Sequence, residues 1–149
     1  MKGEPIVILL VEDDEAHAEI VRRNFESSRI ANRLMHVADG QAALDYLYQR
    51  NEFSDPAKSP RPGVVLLDLR LPKVDGLEVL RRIRADPRLK LLPVVVLTSS
   101  SEQKDIIRGY DLGANGYVRK PVDFQQFAEA VKTLGLYWLV LNEPPPVPA

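Results

Sequence analysis

Three runs of consecutive aliphatic residues constrain the fold of this chain more than any other feature: Ile6-Val7-Ile8-Leu9-Leu10-Val11, Val64-Val65-Leu66-Leu67 and Val94-Val95-Val96-Leu97. A strand with one face in water alternates apolar and polar residues. These runs do not alternate, so both of their faces must be covered, as in a parallel sheet sandwiched between helices. Each run ends on polar groups: Glu12-Asp13-Asp14 after the first, Asp68 after the second, Thr98-Ser99-Ser100 after the third. A shorter stretch, Gly116-Tyr117-Val118-Arg119, ends in Lys120-Pro121. In a parallel arrangement these polar ends gather at one edge of the sheet, where open α/β sheets bind ligands.

Helical periodicity fills the intervals. Ala18, Val21 and Phe25 recur at helical spacing, with Asp13 and Asp14 placed to cap the helix they belong to. Residues 33–37 form a weaker second strand, nearer an edge. Asp39-Gly40 opens a helix that carries Ala43, Leu44, Leu47 and Tyr48 on one face. Residues 50–63 are polar and proline-bearing, a surface loop longer than the usual ~2–6 residues. Asp75-x-x-Glu78 has the form of a capping box; Leu77, Leu80 and Ile83 then make an inner face, and Asp86-Pro87 ends the helix. Ser99-x-x-Glu102 and Ser100-x-x-Gln103 overlap as starting signals for a fourth helix that ends near residues 111–113. The last helix starts at Asp123 and sets Phe124, Phe127, Ala128, Val131 and Leu134 on one stripe. Five βα units joined by right-handed crossovers make a three-layer, doubly wound α/β fold. A chain of 149 residues holds one such domain.

A net charge of −1 provides no concentrated positive surface, which argues against nucleic acid or an anionic membrane as partner. The absence of cysteine removes thiolate chemistry and Cys-ligated zinc. No apolar stretch approaches the ~18 residues of a membrane span. The first residues lack the pattern of a secretory signal, so a cytoplasmic location is expected.

Glu12, Asp13 and Asp68 at neighbouring strand ends would repel one another and raise one another's pKa. A hard divalent cation relieves this; magnesium commonly takes one or two carboxylates together with waters and phosphate oxygens. Beside such an ion an aspartate can accept a phosphoryl group as an acyl phosphate. Lys120 would then pair with one phosphate oxygen, and Thr98 Oγ1 would donate to another. Singly, each residue has a plainer reading. Asp13 or Asp14 serves as an N-cap, Asp68 as a turn residue, Thr98 as a strand-end hydroxyl and Lys120 as a solvated lysine. Their joint placement at the C-terminal ends of the strands is what points to a site.

Leu10-Val11-Glu12-Asp13-Asp14, Leu67-Asp68-Leu69-Arg70-Leu71-Pro72-Lys73-Val74-Asp75-Gly76, Leu97-Thr98-Ser99 and Gly113-Ala114-Asn115-Gly116-Tyr117-Val118-Arg119-Lys120-Pro121 resemble the receiver domain of bacterial two-component response regulators. The likeness runs in order and spacing from residue 5 to residue 135. It implies a flavodoxin-like sheet of five parallel strands in the order 2-1-3-4-5. By the same resemblance Asp68 accepts a phosphoryl group from a histidine kinase. Asp13 and Asp68 ligate magnesium, Glu12 completes the acidic pocket through water, and the backbone carbonyl of Arg70 is a further ligand. Thr98 and Lys120 bind the phosphoryl group, a cis peptide precedes Pro121, and Tyr117 turns inward when Thr98 moves toward the phosphate. The fourth helix, fifth strand and fifth helix carry the output. Arg70 departs from the Asn or Met often found two residues beyond the acceptor and is expected to change the autodephosphorylation rate.

Residues 1–135 are read as the receiver and 136–149 as a C-terminal segment. Leu136-Tyr137-Trp138-Leu139-Val140-Leu141 is apolar on all sides. It predicts a homodimer in which Tyr137, Trp138 and Leu139 meet their symmetry mates. Asn142-Glu143-Pro144-Pro145-Pro146-Val147-Pro148-Ala149 cannot continue a helix and reads as extended polyproline II. The long loop and this ending resemble the single-domain regulators of bacterial and cyanobacterial phytochromes, whose partner is a light-regulated histidine kinase. No DNA-binding segment is read after the last helix, so output is expected through a downstream protein or a phosphotransfer protein. Such a chain has no separate substrate to turn over and is not an enzyme in that sense. Two other functions stand beside this one. A phosphatase with Asp68 as nucleophile would want a second acid two residues later, where Arg70 stands. A dimeric pseudo-receiver without phosphotransfer would have no use for Glu12, Asp13, Asp68, Thr98 and Lys120 together.

Overall fold

Strand and helix alternate through residues 5–28, 31–99, 102–121, 123–138, 143, 145 and 146, which the computed structural model describes. The elements are β1 (Ile6–Val11), α1 (Glu15–Glu26), β2 (Asn32–Val37), α2 (Gly40–Leu47), β3 (Val64–Leu67), α3 (Gly76–Ala85), β4 (Val94–Thr98), α4 (Gln103–Asp111), β5 (Gly116–Arg119) and α5 (Phe124–Leu136). All strand pairs are parallel, and the order across the sheet is β2-β1-β3-β4-β5. This is the expected doubly wound topology.

The aliphatic runs show why they had no polar face. Leu9, Val11, Val65, Leu67 and Val94 bury against Ala43, Leu44, Leu47, Val79, Leu80 and Ile83 of α2 and α3. Their neighbours Ile8, Leu10, Val64, Leu66, Val95 and Leu97 bury on the opposite face, against Ala18, Val21, Phe25, Phe127 and Val131 of α1 and α5. Successive side chains of one strand thus serve two separate cores.

Several local expectations need correction. On α3 the buried residues are Gly76, Val79, Leu80 and Ile83, with Val79 taking the inward place expected for Leu77. Asp75 makes no side-chain cap; Glu78 turns instead to Arg81 and Arg82, whose guanidinium groups outbid a backbone N–H for a carboxylate. Helix α4 has Glu102 at its N-cap, without a side-chain cap hydrogen bond from that residue, and Ser100 of the second expected box lies outside the described residues. Residues 50–63 include a short 3-10 helix, Asn51–Phe53, and Phe53 packs against the α2–α3 core. The cis peptide implied before Pro121 is not present: among the described residues no peptide bond is cis. The trans form is lower in energy even before proline. Asp14, Asp39 and Asp123 do cap α1, α2 and α5, each accepting from a backbone N–H three residues on.

Candidate functional site

Strand register brings the polar ends together. Val11 pairs with Leu67, Leu67 with Val96, and Thr98 with Arg119, so residues 12, 68, 98 and 120 leave the sheet at the same edge. Each backbone is fixed by one further bond of ladder type. Glu12 N donates to Val37 O at 3.0 Å, Asp68 N to Val11 O at 3.1 Å, and Lys120 N to Thr98 O at 2.7 Å. Gly76 is required where α3 starts against this edge: a Cβ there would lie 2.2 Å from Asp68 O and 2.7 Å from Leu69 Cα.

The side chains converge on Asp68. Thr98 Oγ1 donates to Asp68 Oδ1 at 2.8 Å, and the Arg70 backbone N–H donates to the same oxygen at 3.2 Å. Lys120 Nζ donates to Asp68 Oδ2 at 2.9 Å and to Glu12 Oε1. Glu12 Oε2 accepts from the Asp14 N–H at 3.1 Å. Glu12, Asp68, Thr98 and Lys120 are all buried, whereas Asp13 faces outward. Burial pushes Glu12 up to about 7; the hydrogen bond and charge of Lys120 oppose this, and the Asp68 carboxylate adds to it.

Carboxylate oxygens of Glu12, Asp13 and Asp68 lie within 4.8 Å of one another. This all-oxygen donor set, with one face open at Asp13, suits a hard divalent cation such as magnesium and not a thiolate- or imidazole-seeking metal. Three carboxylates also outnumber the single ammonium among them, which leaves negative charge for the ion to balance.

The other expected residues divide. The guanidinium of Arg70 reaches across to α4, 3.0 Å from Asp105 Oδ2 and 3.4 Å from Glu102 Oε1. Tyr117 lies against α4 at Gly109, where a Cβ would stand 3.3 Å from the tyrosine ring. Tyr137 is exposed and meets Trp138 edge to face at 5.2 Å. Trp138 packs on the α1–α5 core, and Leu139 lies outside the described residues. Two residues near the site were not anticipated. His17 Nδ1 is 3.1 Å from Lys120 Nζ, and His36 Nε2 is 2.7 Å from Glu12 O. The position of His17, in the first turn of the helix that follows the acidic pair, was the available signal.

A family model of the response regulator receiver domain matches residues 8–132. The chain is 44% identical over 142 residues to the probable methanogenesis regulatory protein FilR2 of Methanothrix harundinacea, covering 95% of this chain and 89% of that protein. It is 42% identical over 135 residues to the response regulator Rcp1 of Synechocystis sp., covering 91% and 90%. The crystal structure of the Mn(2+)-bound form of Rcp1 superposes with a TM-score of 0.90 at 41% identity, over 95% of this chain and 100% of that one. The phosphorylated cyanobacterial phytochrome response regulator RcpA gives 0.90 at 38% identity, over 96% and 100%.

Proposed function

This chain belongs to the response regulator receiver family, and we propose that it accepts a phosphoryl group on Asp68 from a histidine kinase. The observation that carries the assignment is the buried Asp68 carboxylate, held at one oxygen by Thr98 and at the other by Lys120, beside two further carboxylates. A carboxylate oxygen of Asp68 attacks phosphorus as the bond to the kinase imidazole nitrogen breaks; the imidazole leaves and an acyl phosphate remains. Lys120 moves one N–H from Asp68 to a phosphoryl oxygen, and Thr98 directs its hydroxyl to another. Asp13, Asp68 and the carbonyl of Arg70 are the ligands assigned to magnesium, with Glu12 acting through water. The bound ion supplies countercharge to the phosphoryl oxygens.

Arg70 controls loss of the phosphoryl group in this reading, because it stands two residues beyond Asp68 and its guanidinium is held by Asp105 of α4. Thr98 and Tyr117 form the switch, and α4, β5 and α5 carry the output to a downstream protein or phosphotransfer protein. Residues 1–135 make the receiver, and residues 136–149 the apolar dimerisation segment and proline-rich tail. Exposed Tyr137 is the contact offered to a second copy, and Trp138 sets its angle from the core side. Among the described residues no helix is long and apolar enough to cross a membrane, which supports a cytoplasmic placement.

The kinase is a phytochrome in this proposal, supported by the likeness to RcpA over nearly the whole chain. The comparable identity to FilR2 favours a second reading, a kinase that answers a metabolic signal. Phosphotransfer from a phytochrome kinase, in light and in darkness, separates the two. For Asp68 itself, acetyl phosphate and magnesium followed by intact mass is the test. One stable phosphoryl adduct, absent from Asp68→Asn, supports the assignment. Turnover without adduct supports a phosphatase, and no reaction supports a pseudo-receiver.

A further inference from the structure

A lysine ammonium has three N–H donors and no acceptor. Three acceptors surround that of Lys120: Glu12 Oε1, Asp68 Oδ2 at 2.9 Å and His17 Nδ1 at 3.1 Å. The third contact is attractive only when Nδ1 offers a lone pair, which places the imidazole proton on Nε2. A proton on Nδ1 would set two donors face to face; its alternative partner, Asp14 Oδ2, is farther away at 3.7 Å. The His17 backbone N–H is fixed to Asp14 Oδ1 at 3.0 Å in the first turn of α1, and Phe127 of α5 packs against the imidazole ring at 5.2 Å and 75°.

We propose that His17 is the positioning residue for the Lys120 ammonium in phosphoryl transfer, an inference that rests on the phosphoacceptor assignment of Asp68. Of the three acceptors, the carboxylates of Glu12 and Asp68 also neutralise the ammonium. His17 orients it and leaves its charge available. When the phosphoryl group arrives, Lys120 gives up its bond to Asp68, and Glu12 and His17 are the two contacts that keep Nζ aimed at the new oxygens. Glu12 alone fixes a distance; two anchors fix a direction.

Two substitutions in the full chain test this. His17→Leu keeps an apolar body against Phe127 and deletes the acceptor. His17→Asn places an amide oxygen near the former Nδ1. With acetyl phosphate and magnesium, His17→Leu is expected to phosphorylate about tenfold more slowly, the order expected for loss of one hydrogen bond to a charged group, and His17→Asn to stay within about twofold of the parent. Long-range 1H–15N NMR of the parent at neutral pH is expected to show an Nε2–H tautomer whose Nδ1 resonance is displaced by the hydrogen bond from Lys120, a displacement that Lys120→Met abolishes. A parent-like rate in His17→Leu, or a proton on Nδ1 in the parent, overturns the proposal. If His17→Leu does not fold, the tautomer and the His17→Asn rate decide. Failure of the parent to form the Asp68 adduct would instead count against the phosphoacceptor assignment itself.

Discussion

Replacing Lys120 by methionine isolates the electrostatics of the site. Methionine preserves most of the aliphatic length and removes all three donors. Glu12 and Asp68 are then left 1% and 6% exposed with no cation between them. Deleting one partner of a buried ion pair leaves uncompensated charge and costs about 3–5 kcal/mol. Part of that is recovered because Glu12, already pushed up to about 7, takes a proton more readily, so the lower end of the range applies near neutral pH. In EDTA the thermal midpoint of a domain this size should fall by roughly 10 °C or more. Magnesium should act on the variant more strongly than on the parent, because the ion becomes the only countercharge available to the same oxygens. At 100 times its dissociation constant a ligand stabilises by about 2.7 kcal/mol. The assay is urea unfolding followed by circular dichroism, with EDTA or with saturating magnesium, comparing midpoints at unchanged slope. The reasoning is refuted if Lys120→Met loses less than about 1 kcal/mol in EDTA, or if magnesium stabilises it no more than the parent.

Gly76→Ala would normally favour a helix, yet here the added Cβ strikes backbone at Asp68 and Leu69. A loss of about 1–3 kcal/mol in urea unfolding is expected, with slower phosphorylation by acetyl phosphate as Asp68 is displaced. Tyr46 is buried with its hydroxyl on Pro60 O at 2.8 Å, and burial pushes its pKa from 10.0 to about 12. The folded state therefore holds that proton to higher pH than the unfolded chain does. Its contribution of about 2–3 kcal/mol is fully present below pH 10 and is lost as pH rises toward 12. Tyr46→Phe should flatten the alkaline part of a stability–pH profile; an unchanged slope would contradict this. Arg70→Asn removes the side chain that pairs with Asp105 and Glu102. With the guanidinium itself exposed, these pairs contribute little to stability, about 0–1 kcal/mol, and the expected change is a several-fold faster decay of the phosphorylated form, read by intact mass over time. Equal lifetimes would remove Arg70 from the account. Tyr137→Ala should lower the mass measured by light scattering at low concentration; an unchanged mass would argue against the dimer.

Much of this fold was legible because the aliphatic runs have only one economical placement. Parallel strands covered on both faces force βα alternation, and the polar residue after each run is then carried to one edge. Asp68, Thr98 and Lys120 were therefore readable as neighbours, although separated by dozens of residues. What sequence pattern did not reveal depends on competition between partners in three dimensions. Glu78 had the spacing of a capping residue, yet Arg81 and Arg82 claim it. Leu77 had the hydrophobicity for the core, but Val79 has the angle. His17 gives no motif at all, and its relevance arises only when α1 brings it beside an ammonium from 103 residues away.

The way α4 is attached suits it to the proposed output role. Other helices are fastened by apolar side chains: α1 through Ala18, Val21 and Phe25, α3 through Val79, Leu80 and Ile83. In α4 the buried residue is Gly109, while Ile107 and Tyr110 are 56% and 52% exposed. Two contacts tie it to the proposed site instead. Arg70, two residues from Asp68, holds Asp105 and Glu102, and the ring of Tyr117 rests on Gly109. In the proposed switch both ties would respond to charge at Asp68. A phosphoryl group would add about −1.5 to −2 units at Asp68, two residues from Arg70, and offer its guanidinium an anion besides Glu102 and Asp105. Inward rotation of Tyr117 would remove the surface on which Gly109 sits. With little apolar burial to resist, α4 is the helix that a local electrostatic change can move, and its exposed Ile107 and Tyr110 move with it.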